Sequence, residues 1–334
     1  MNKIVYILLA VLVVLLFAAT MLVGSVAIPW ANVVRILCGR QGEPQAWRFI
    51  ILESRLPQAI AATLSGAGLA TAGLIMQTVF RNPLAGPDVF GINGGAGVGV
   101  AVVMLLTGGS VSIATVGLSG GMALVMAALV GAMAVMGLIL FCSTLVRSGV
   151  MLLVVGIMVG YLTSSVISLL NYQATEQGVR QYMVWGMGDL GGVPPSLLPL
   201  FVLLVVCGLL LALLMVKPLN LLLLGERYAQ NMGVSLRPTR TLLLFLAGGL
   251  TAVVTAFCGP ISFIGIAVPH VARLVTGTDN QRRLLPATML SGAAITLLCG
   301  LLCYLPGSAG LLPLNAVTPL IGAPVILYVI LRRR

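Results

Sequence analysis

Few residues of the chain could do chemistry, and the most conspicuous is His270, its only histidine. It lies in "FCGPISFIGIAVPHVARL", where Gly259, Pro260, Gly265 and Pro269 interrupt an otherwise apolar segment. No second metal ligand lies near it in the sequence. A histidine that closes a helix end, where a positive charge is favourable, is the preferred interpretation, and a proton-relay or ligand role is the alternative.

Two cysteines offer a second candidate. Cys299 and Cys303 are spaced i, i+4, so they share a helix face and could bind a soft metal. Two small buried hydrophobic residues are the preferred interpretation, because free cysteines are often buried in cores. The sequence therefore predicts no metal site, no bound cofactor and no catalytic residue in this chain.

The acidic residues exclude one class of transport protein. All seven fall in loops or at the ends of apolar segments: Glu43, Glu53, Asp88, Glu176, Asp189, Glu226 and Asp279. Ion-coupled carriers usually keep an ionisable group inside the membrane to bind or relay the ion. A secondary carrier is therefore disfavoured.

A nucleotide-driven motor is also missing from the chain. There is no Gly-rich loop ending in Gly-Lys-Ser/Thr, and the two lysines, Lys3 and Lys217, lie at the ends of apolar segments. Active transport by this chain would therefore need a separate ATPase subunit, with ATP and Mg²⁺ bound there.

The elements that carry these residues are membrane helices. The composition is 60% hydrophobic and 7% charged, which is typical of a polytopic membrane protein. A span needs about 20 apolar residues, and the sequence predicts ten spans in one all-α permease domain of residues 1–334: Ile4–Ile28, Leu56–Phe80, Val89–Thr107, Ile113–Val146, Gly149–Tyr172, Val193–Val216, Thr241–Cys258, Gly259–Val275, Leu284–Pro306 and Leu311–Leu331.

The basic residues indicate how these spans are oriented. With the N-terminus inside, 13 of the 18 Lys and Arg residues fall on the inner segments, as the positive-inside rule requires. Both termini are therefore predicted to be cytoplasmic. The net charge of +11 is then a topology signal in a lipid bilayer, and no nucleic-acid partner is expected. The first span is interpreted as retained, although "VGSVA" leaves signal cleavage open.

One inner connection is long enough to have a structure of its own. The segment 217–241 reads "KPLNLLLLGERYAQNMGVSLRPTRT". A short helix is predicted over Glu226–Met232, after Gly225 and before a stop at Gly233. This segment is either a cytoplasmic coupling element that receives a push from a partner or a solvated connection.

Two interrupted regions suggest an internal repeat. The second span is followed by "RNPLAGPDVFGINGGAGVG" and the seventh by the segment that holds His270. An offset of five spans predicts two halves inserted in opposite directions, and such breaks often line a pathway. Close packing of helices at glycine is the alternative explanation.

The fifth span has one polar face. Tyrosines and serines at helical spacing share it: Tyr161, Ser164, Ser165, Ser168 and Tyr172. These hydroxyl groups could line a translocation pathway, or they could bond to neighbouring helices.

Six motifs now occur in a characteristic order. They are "RLPQ" at Arg55, "FRNPLAGPDVFGINGGAGVG" at Phe80, "GERYAQNMGV" at Gly225, "GPISFIGIAVPHVARL" at Gly259, "RRLLP" at Arg282 and "LPLNAVTPLIGAP" at Leu312. With them, nearly the whole chain resembles the FecCD-type permeases of bacterial ABC importers for ferric siderophores, haem and cobalamin. The resemblance implies a multi-pass protein of the cytoplasmic membrane with ten helices per subunit. It also implies a second permease subunit, which is either a copy or a related chain, two ATPase subunits and an extracytoplasmic substrate-binding protein.

The resemblance also implies roles for individual residues. The segment matching the family's coupling region would contact the ATPase through Gly225, Glu226, Arg227, Gln230 and Gly233. The link matching the cytoplasmic gate contains Arg147 and Ser148.

Docking of the binding protein is implied at Arg55, but the pattern around it departs from the family. Gln58 ends the motif in place of an arginine, Tyr304 stands where a second arginine is expected, and Leu311 replaces a glutamate. A ferric siderophore is the predicted substrate, with cobalamin and haem as alternatives.

Overall fold

The computed structural model describes residues 2–40, 43–106, 120–146, 149–305 and 312–332. Every regular element within these ranges is helical, so the all-α prediction is confirmed. The helices are α1 (Asn2–Leu22), α2 (Trp30–Leu37), α3 (Gln45–Phe49), α4 (Leu56–Phe80), α5 (Ile92–Leu106), α6 (Gly120–Leu145), α7 (Gly149–Gln173), α8 (Glu176–Gly186), α9 (Leu198–Leu214), α10 (Val216–Leu224), α11 (Glu226–Asn231), α12 (Leu236–Cys258), α13 (Ile264–Thr276), α14 (Gln281–Leu302) and α15 (Leu314–Arg332).

Each of the ten predicted apolar segments contains one long helix. Six helices are long and apolar enough to cross a membrane by themselves, namely α1, α4, α6, α7, α12 and α14. A seventh span results if α9 and α10, which meet at a bend of 51°, are counted as one. The apolar helices α5, α13 and α15 are shorter. The total of ten spans and the location of the termini stay predictions.

Helix α4 lies at the centre of the bundle, where it contacts α9, α12, α13 and α14. Glycines allow these close approaches. A Cβ at Gly66 would lie 2.2 Å from the carbonyl oxygen of Gly292 on α14, and one at Gly73 only 1.7 Å from that of Gly265 on α13. Small residues therefore let backbones touch, as in other membrane helix pairs.

The packing pattern occurs twice. Helix α4 contacts α13 and α14, just as α12 contacts α5 and α6. Helix α5 packs on α6 and α7, just as α13 packs on α14 and α15. Four consecutive helices in each half therefore have equivalent partners.

The two halves run in opposite directions. Near the start of α4, Ser65 Oγ lies 3.3 Å from Cys258 Sγ at the end of α12. At the other end of the pair, the guanidinium carbon of Arg240 lies 5.6 Å from the ring centre of Phe80. Helices α4 and α12 are thus antiparallel, which confirms the predicted inverted repeat.

The two interrupted regions meet inside the protein. Residues 81–91 separate α4 from α5 and include a 3₁₀ turn, Pro87–Phe90. A Cβ at Gly265 would lie 2.7 Å from Pro87 Cδ in this turn. The buried His270 donates from Nε2 to the carbonyl oxygen of Pro83 at 2.9 Å. This contact supports the structural interpretation of the histidine, because its ring joins one break to the other.

A second polar side chain holds the break after α12. Asn315 accepts a hydrogen bond from the Ser262 amide at 3.0 Å and donates to the carbonyl oxygens of Pro260, at 2.7 Å, and Gly186, at 3.0 Å. One side chain therefore satisfies backbone groups that the break leaves outside a helix. Such partners are needed where backbone is irregular at membrane depth.

Candidate translocation and coupling sites

The polar face of α7 is exposed along its length. Tyr161 and Tyr172 are 68% and 89% exposed, and Ser164, Ser165 and Ser168 are exposed as well. Ser168 donates to the carbonyl oxygen of Ser164 in its own helix at 2.9 Å. Within the described part of the chain, no hydrogen bond joins these five side chains to a neighbouring helix, so the alternative of helix–helix bonding finds no support there.

The opposite face of α7 fixes which way the polar face points. Leu152 and Thr163 are buried, and Thr163 Oγ1 would lie 2.3 Å from a Cβ at Gly94 on α5. A Cβ at Gly156 would lie 2.9 Å from the carbonyl oxygen of Val89. Helix α7 therefore packs through small residues on one side and presents hydroxyl groups on the other.

The predicted coupling helix is present as α11. Gly225, with a φ of 129°, precedes Glu226, and Gly233, with a φ of 86°, follows the helix after Met232. These positive φ values favour glycine, which explains both residues. The helix ends at Asn231 and not at Met232, a difference of one residue at a frayed end.

Helix α11 presents a charged surface. Glu226, Arg227 and Gln230 are exposed, as is Gly233, whereas Ala229 is fully buried. The side chains expected to touch a partner therefore share the outer side of α11. These residues form one small, exposed polar surface.

Helix α10 connects this surface to the membrane helices. Arg81, just after α4, donates from Nη2 to the carbonyl oxygen of Leu222 at 2.9 Å. Asn220 donates to Asn280 at 3.2 Å and accepts from the Gln281 amide at 2.8 Å, at the start of α14. Helix α10, which directly precedes α11, is therefore bonded to the end of α4 and to the start of α14. These contacts were not predicted from the sequence, where their only signal was the presence of polar residues at helix ends.

The predicted gate residues, Arg147 and Ser148, lie outside the described residues. Helix α6 ends at Leu145 and α7 begins at Gly149.

Arg55 lies in a different environment from the one that its predicted role requires. It is only 3% exposed. Its guanidinium donates to the carbonyl oxygens of Met21 at 2.7 Å, Leu22 at 3.1 Å and Val26. These are groups at and after the C-terminal end of α1, where a cation is favourable. The geometry thus gives Arg55 a structural role, and docking through it stays a prediction.

Two positions that depart from the family pattern contact each other. The Tyr304 hydroxyl donates to Gln58 Oε1 at 2.9 Å. Both residues line a cavity of about 240 Å³ together with Asp189 and Cys303. A hydrogen-bonded neutral pair therefore occupies a place where the resemblance implied arginines. Leu311, the third departure, lies outside the described residues.

The cysteines provide no metal site in the described structure. Cys299 and Cys303 are both buried, and no group of three or more potential His, Cys, Asp or Glu ligands occurs among the described residues. Their burial is consistent with the interpretation as small hydrophobic residues.

Comparisons with known proteins agree on a single family. The model of the FecCD transport family matches residues 11–332. A vitamin B12 import system permease protein BtuC from Klebsiella pneumoniae is 38% identical over 289 residues, covering 86% of this chain and 84% of that protein. The BtuC of Serratia proteamaculans is 35% identical over 300 residues, covering 87% and 84%.

A solved structure shows the same architecture. A chain assigned to an ABC transporter of the metal-chelate type, in an inward-facing conformation, superposes with a TM-score of 0.84 at 28% identity, covering 99% of this chain and all of that one. The chain belongs to the FecCD transport family and is a multi-pass inner-membrane permease of an ABC importer.

Proposed function

We propose that this permease carries cobalamin or a closely related corrinoid into the cytoplasm. The observation that carries the proposal is the name shared by its relatives: proteins 35–38% identical over most of the chain are vitamin B12 permeases. The ferric siderophore predicted from the sequence becomes the second candidate. It is favoured by the likeness to a metal-chelate type transporter, at the lower identity of 28%.

The pathway wall in this proposal is the exposed face of α7. Tyr161, Ser164, Ser165, Ser168 and Tyr172 would be costly to leave in lipid, because hydrocarbon offers hydroxyl groups no partner. A second permease subunit opposite this face, either a copy or a related chain, would enclose a wet passage. Hydroxyl and phenol groups suit a bulky polar chelate, since they form hydrogen bonds without adding a fixed charge.

The energy source in this proposal is a pair of ATPase subunits that bind ATP and Mg²⁺ and contact α11. Gly225 and Gly233 set the shape of α11, while Glu226, Arg227 and Gln230 provide the contact surface. Movement would pass through α10 to α4 and α14, and also to the gate at Arg147 and Ser148. An extracytoplasmic binding protein would deliver the substrate at the other end. The binding protein would dock at the surface around the partly exposed Tyr304, since Arg55 is buried.

The test is uptake into liposomes that contain the permease with its ATPase and binding protein. Labelled cyanocobalamin, a ferric siderophore and haem are compared, each with ATP and with a non-hydrolysable analogue. We expect ATP-dependent uptake of cyanocobalamin above that of the other two.

Each alternative has its own outcome in this assay. ATP-dependent uptake of the siderophore with none of cobalamin would overturn the corrinoid proposal and favour the second candidate.

A substitution on α11, Glu226→Arg, should reduce uptake and coupled ATP hydrolysis, whereas Asp279→Asn, at an exposed residue outside α11, should leave both in place.

A further inference from the structure

A cavity of about 420 Å³ lies where the ends of five helices meet. Its apolar wall includes Val79 at the end of α4, Leu222 on α10 and Leu236 at the start of α12. Its polar lining includes Arg237 and Arg240 on α12 and Glu226 on α11. The cavity is thus amphiphilic, and apart from Glu226 none of these six residues belongs to the proposed substrate pathway or ATPase contact surface.

Two nitrogens of the Arg240 guanidinium group in this cavity have unused N–H groups. Nε and Nη2 are buried, and neither donates a hydrogen bond to any of the described residues. Among the described residues, the guanidinium group contacts the ring of Phe80, at 5.6 Å between the guanidinium carbon and the ring centre. A buried guanidinium with unused donors is costly unless an acceptor reaches it. The side chain is therefore poised for an external acceptor, and an anion fits best.

The charges around Arg240 leave a positive excess. Arg237 precedes it by three residues, so the two arginines lie on one face of α12. Glu226 is the opposing charge, and its field acts on Arg240. Within the described residues, however, no ion pair joins Glu226 to either arginine. The described residues that line the cavity, with two cations and one carboxylate, have a net charge of +1.

The α6 wall adds two acceptors. The Ser143 and Thr144 hydroxyl groups line the cavity and donate their protons to the carbonyl oxygens of Leu140 and Phe141, each at 2.7 Å. Their oxygen lone pairs remain able to accept hydrogen bonds. A ligand with both an anionic group and hydroxyl groups would therefore find partners on both walls.

The predicted topology places the cavity near the level where lipid headgroups would meet the spanning helices. It is formed by the C-terminal ends of α4 and α6 and the N-terminal end of α12, which the predicted topology places on the cytoplasmic side. Beside it along the chain, Leu145 on α6 is 68% exposed, and Leu242 and Phe245 on α12 are exposed too. Acyl chains could cover these side chains while the headgroup enters the cavity.

We propose that this cavity binds the phosphodiester headgroup of an anionic glycerophospholipid. Arg240 and Arg237 would donate to the phosphate oxygens, and basic pockets between membrane helices on the cytoplasmic side are known lipid sites. The apolar wall and the exposed neighbours favour a lipid over free phosphate. Because Glu226 belongs to α11, the bound headgroup would contact the segment that we propose for ATPase coupling, although the binding itself does not depend on that role.

The test is lipid binding to the purified full-length permease in detergent, measured by native mass spectrometry. Dioleoyl-phosphatidylglycerol is compared with dioleoyl-phosphatidylcholine, and inorganic phosphate is added as a competitor. The variants are Arg240→Gln, Arg240→Lys and Arg237→Gln. Arg282→Gln is the control, because Arg282 is an exposed arginine at the same end of the bundle.

We expect phosphatidylglycerol to bind the wild type in preference to phosphatidylcholine. Loss of a charge-assisted contact in Arg240→Gln should weaken this binding about tenfold or more, Arg240→Lys should restore part of it, and Arg282→Gln should match the wild type. Arg237 is exposed, so its variant tests the site without disturbing the core. Equal binding of both lipids, or unchanged binding in both glutamine variants, would overturn the proposal. If inorganic phosphate displaced phosphatidylglycerol at an equal concentration of phosphate groups, the cavity would be a site for free phosphate and not for a lipid headgroup.

Discussion

Helices α4 and α7 are both spans of similar length, yet their surroundings are opposite. In the most apolar stretch of α4, 83% of residues are buried inside the protein, against 22% in α7. The less apolar of the two helices is nevertheless α4, which is rich in Ala, Gly, Ser and Thr. In lipid, bulky apolar side chains gain nothing from leaving the membrane, whereas small ones allow close contact.

The polar residues of the two helices differ in exposure, since Ser65, Thr71, Gln77 and Thr78 on α4 are buried whereas the polar face of α7 is exposed. The hydroxyl groups of Thr78 and Thr63 on α4 donate to carbonyl oxygens of their own helix, at 2.8 and 2.7 Å. On α7, the hydroxyl groups of Tyr161 and Tyr172 point away from the chain. A buried hydroxyl group that is satisfied internally supports packing, while a row of exposed ones marks a surface that needs water or a partner.

The largest expected effect comes from adding one methyl group to α4. In Gly73→Ala the new carbon would lie 1.7 Å from the carbonyl oxygen of Gly265, and backbone cannot move aside cheaply. We expect destabilisation by about 3 kcal/mol or more, seen as a large fall in Tm or loss of the folded peak in fluorescence-detected size-exclusion chromatography.

The matched control is the same change on α7. A Cβ at Gly160 meets nothing within 4 Å, and alanine is the better helix former by about 1 kcal/mol. Gly160→Ala should therefore keep or raise the Tm. Equal losses in the two variants would mean that the close crossing at Gly73 does not distinguish α4 from α7.

The second effect concerns water around α7. A cysteine at Ser165 should react with a membrane-impermeant maleimide in liposomes, in a background where the exposed Cys38 and Cys207 are replaced by serine. The control, Leu15→Cys, lies on α1, which is mostly exposed and wholly apolar at that depth. An apolar surrounding raises the pKa of a thiol, and each unit of that rise lowers the concentration of reactive thiolate about tenfold. We therefore expect the cysteine at position 165 to react at least about tenfold faster than the cysteine at position 15. Similar slow rates at both sites would place the polar face of α7 in lipid and remove its claim to line a pathway.

Much of the fold followed from local sequence pattern. The length of each apolar segment predicted a helix in all ten of them. Gly225 and Gly233 predicted the bounds of the short helix α11, and both have the positive φ that favours glycine. The sequence also predicted that the two interrupted regions correspond in an inverted repeat. The hydrogen bond that joins them, between His270 and Pro83 at 2.9 Å, was not predicted.

What could not be predicted depends on residues distant in sequence. The resemblance implied that Arg55 contacts the binding protein, but its observed partners are Met21, Leu22 and Val26, at the end of another helix. Periodicity showed which side chains of α7 share a face, though not that the face would be exposed. The bend of 51° between α9 and α10 likewise lacks a strong local signal, since Pro218 stands three residues after it.

The third effect lies at the joint between the two helices, in the 3₁₀ turn that contacts both α4 and α7. Burial raises the pKa of Asp88 in this turn to about 6, against the opposing effects of hydrogen bonds from the Phe263 amide and from Asn93. Because the folded carboxyl group holds its proton more tightly than the unfolded one, the free energy of unfolding should fall as pH rises from about 4 to about 6, by on the order of 2 kcal/mol. Above that range it should be level.

Asp88→Asn removes this titration and keeps an oxygen to accept from the amide. We expect its Tm to be less dependent on pH between 4 and 6 than that of the wild type, and at least as high at pH 7. The control, Asp279→Asn, changes an exposed carboxylate paired with Arg273 at 3.2 Å and should retain the wild-type slope. A slope unchanged in Asp88→Asn would show that another group is responsible.

The smallest effect tests whether the polar end of α4 behaves like its buried middle. Gln58, in the first turn of α4, accepts from the Tyr304 hydroxyl at 2.9 Å, and a partly buried neutral hydrogen bond contributes about 1 kcal/mol. Tyr304→Phe and Gln58→Ala should each lower the free energy of unfolding. The double variant should lose less than the sum of the two single losses, with a coupling energy of about 1 kcal/mol.

The control, Tyr161→Phe, removes the same hydroxyl group from exposed α7 and should change stability by no more than about 0.5 kcal/mol. If the two tyrosine variants cost the same, or if the double variant is additive, the hydroxyl of Tyr304 is as free as that of Tyr161. The hydrogen bond between Gln58 and Tyr304 would then contribute nothing to stability at the two positions where the family pattern has arginines.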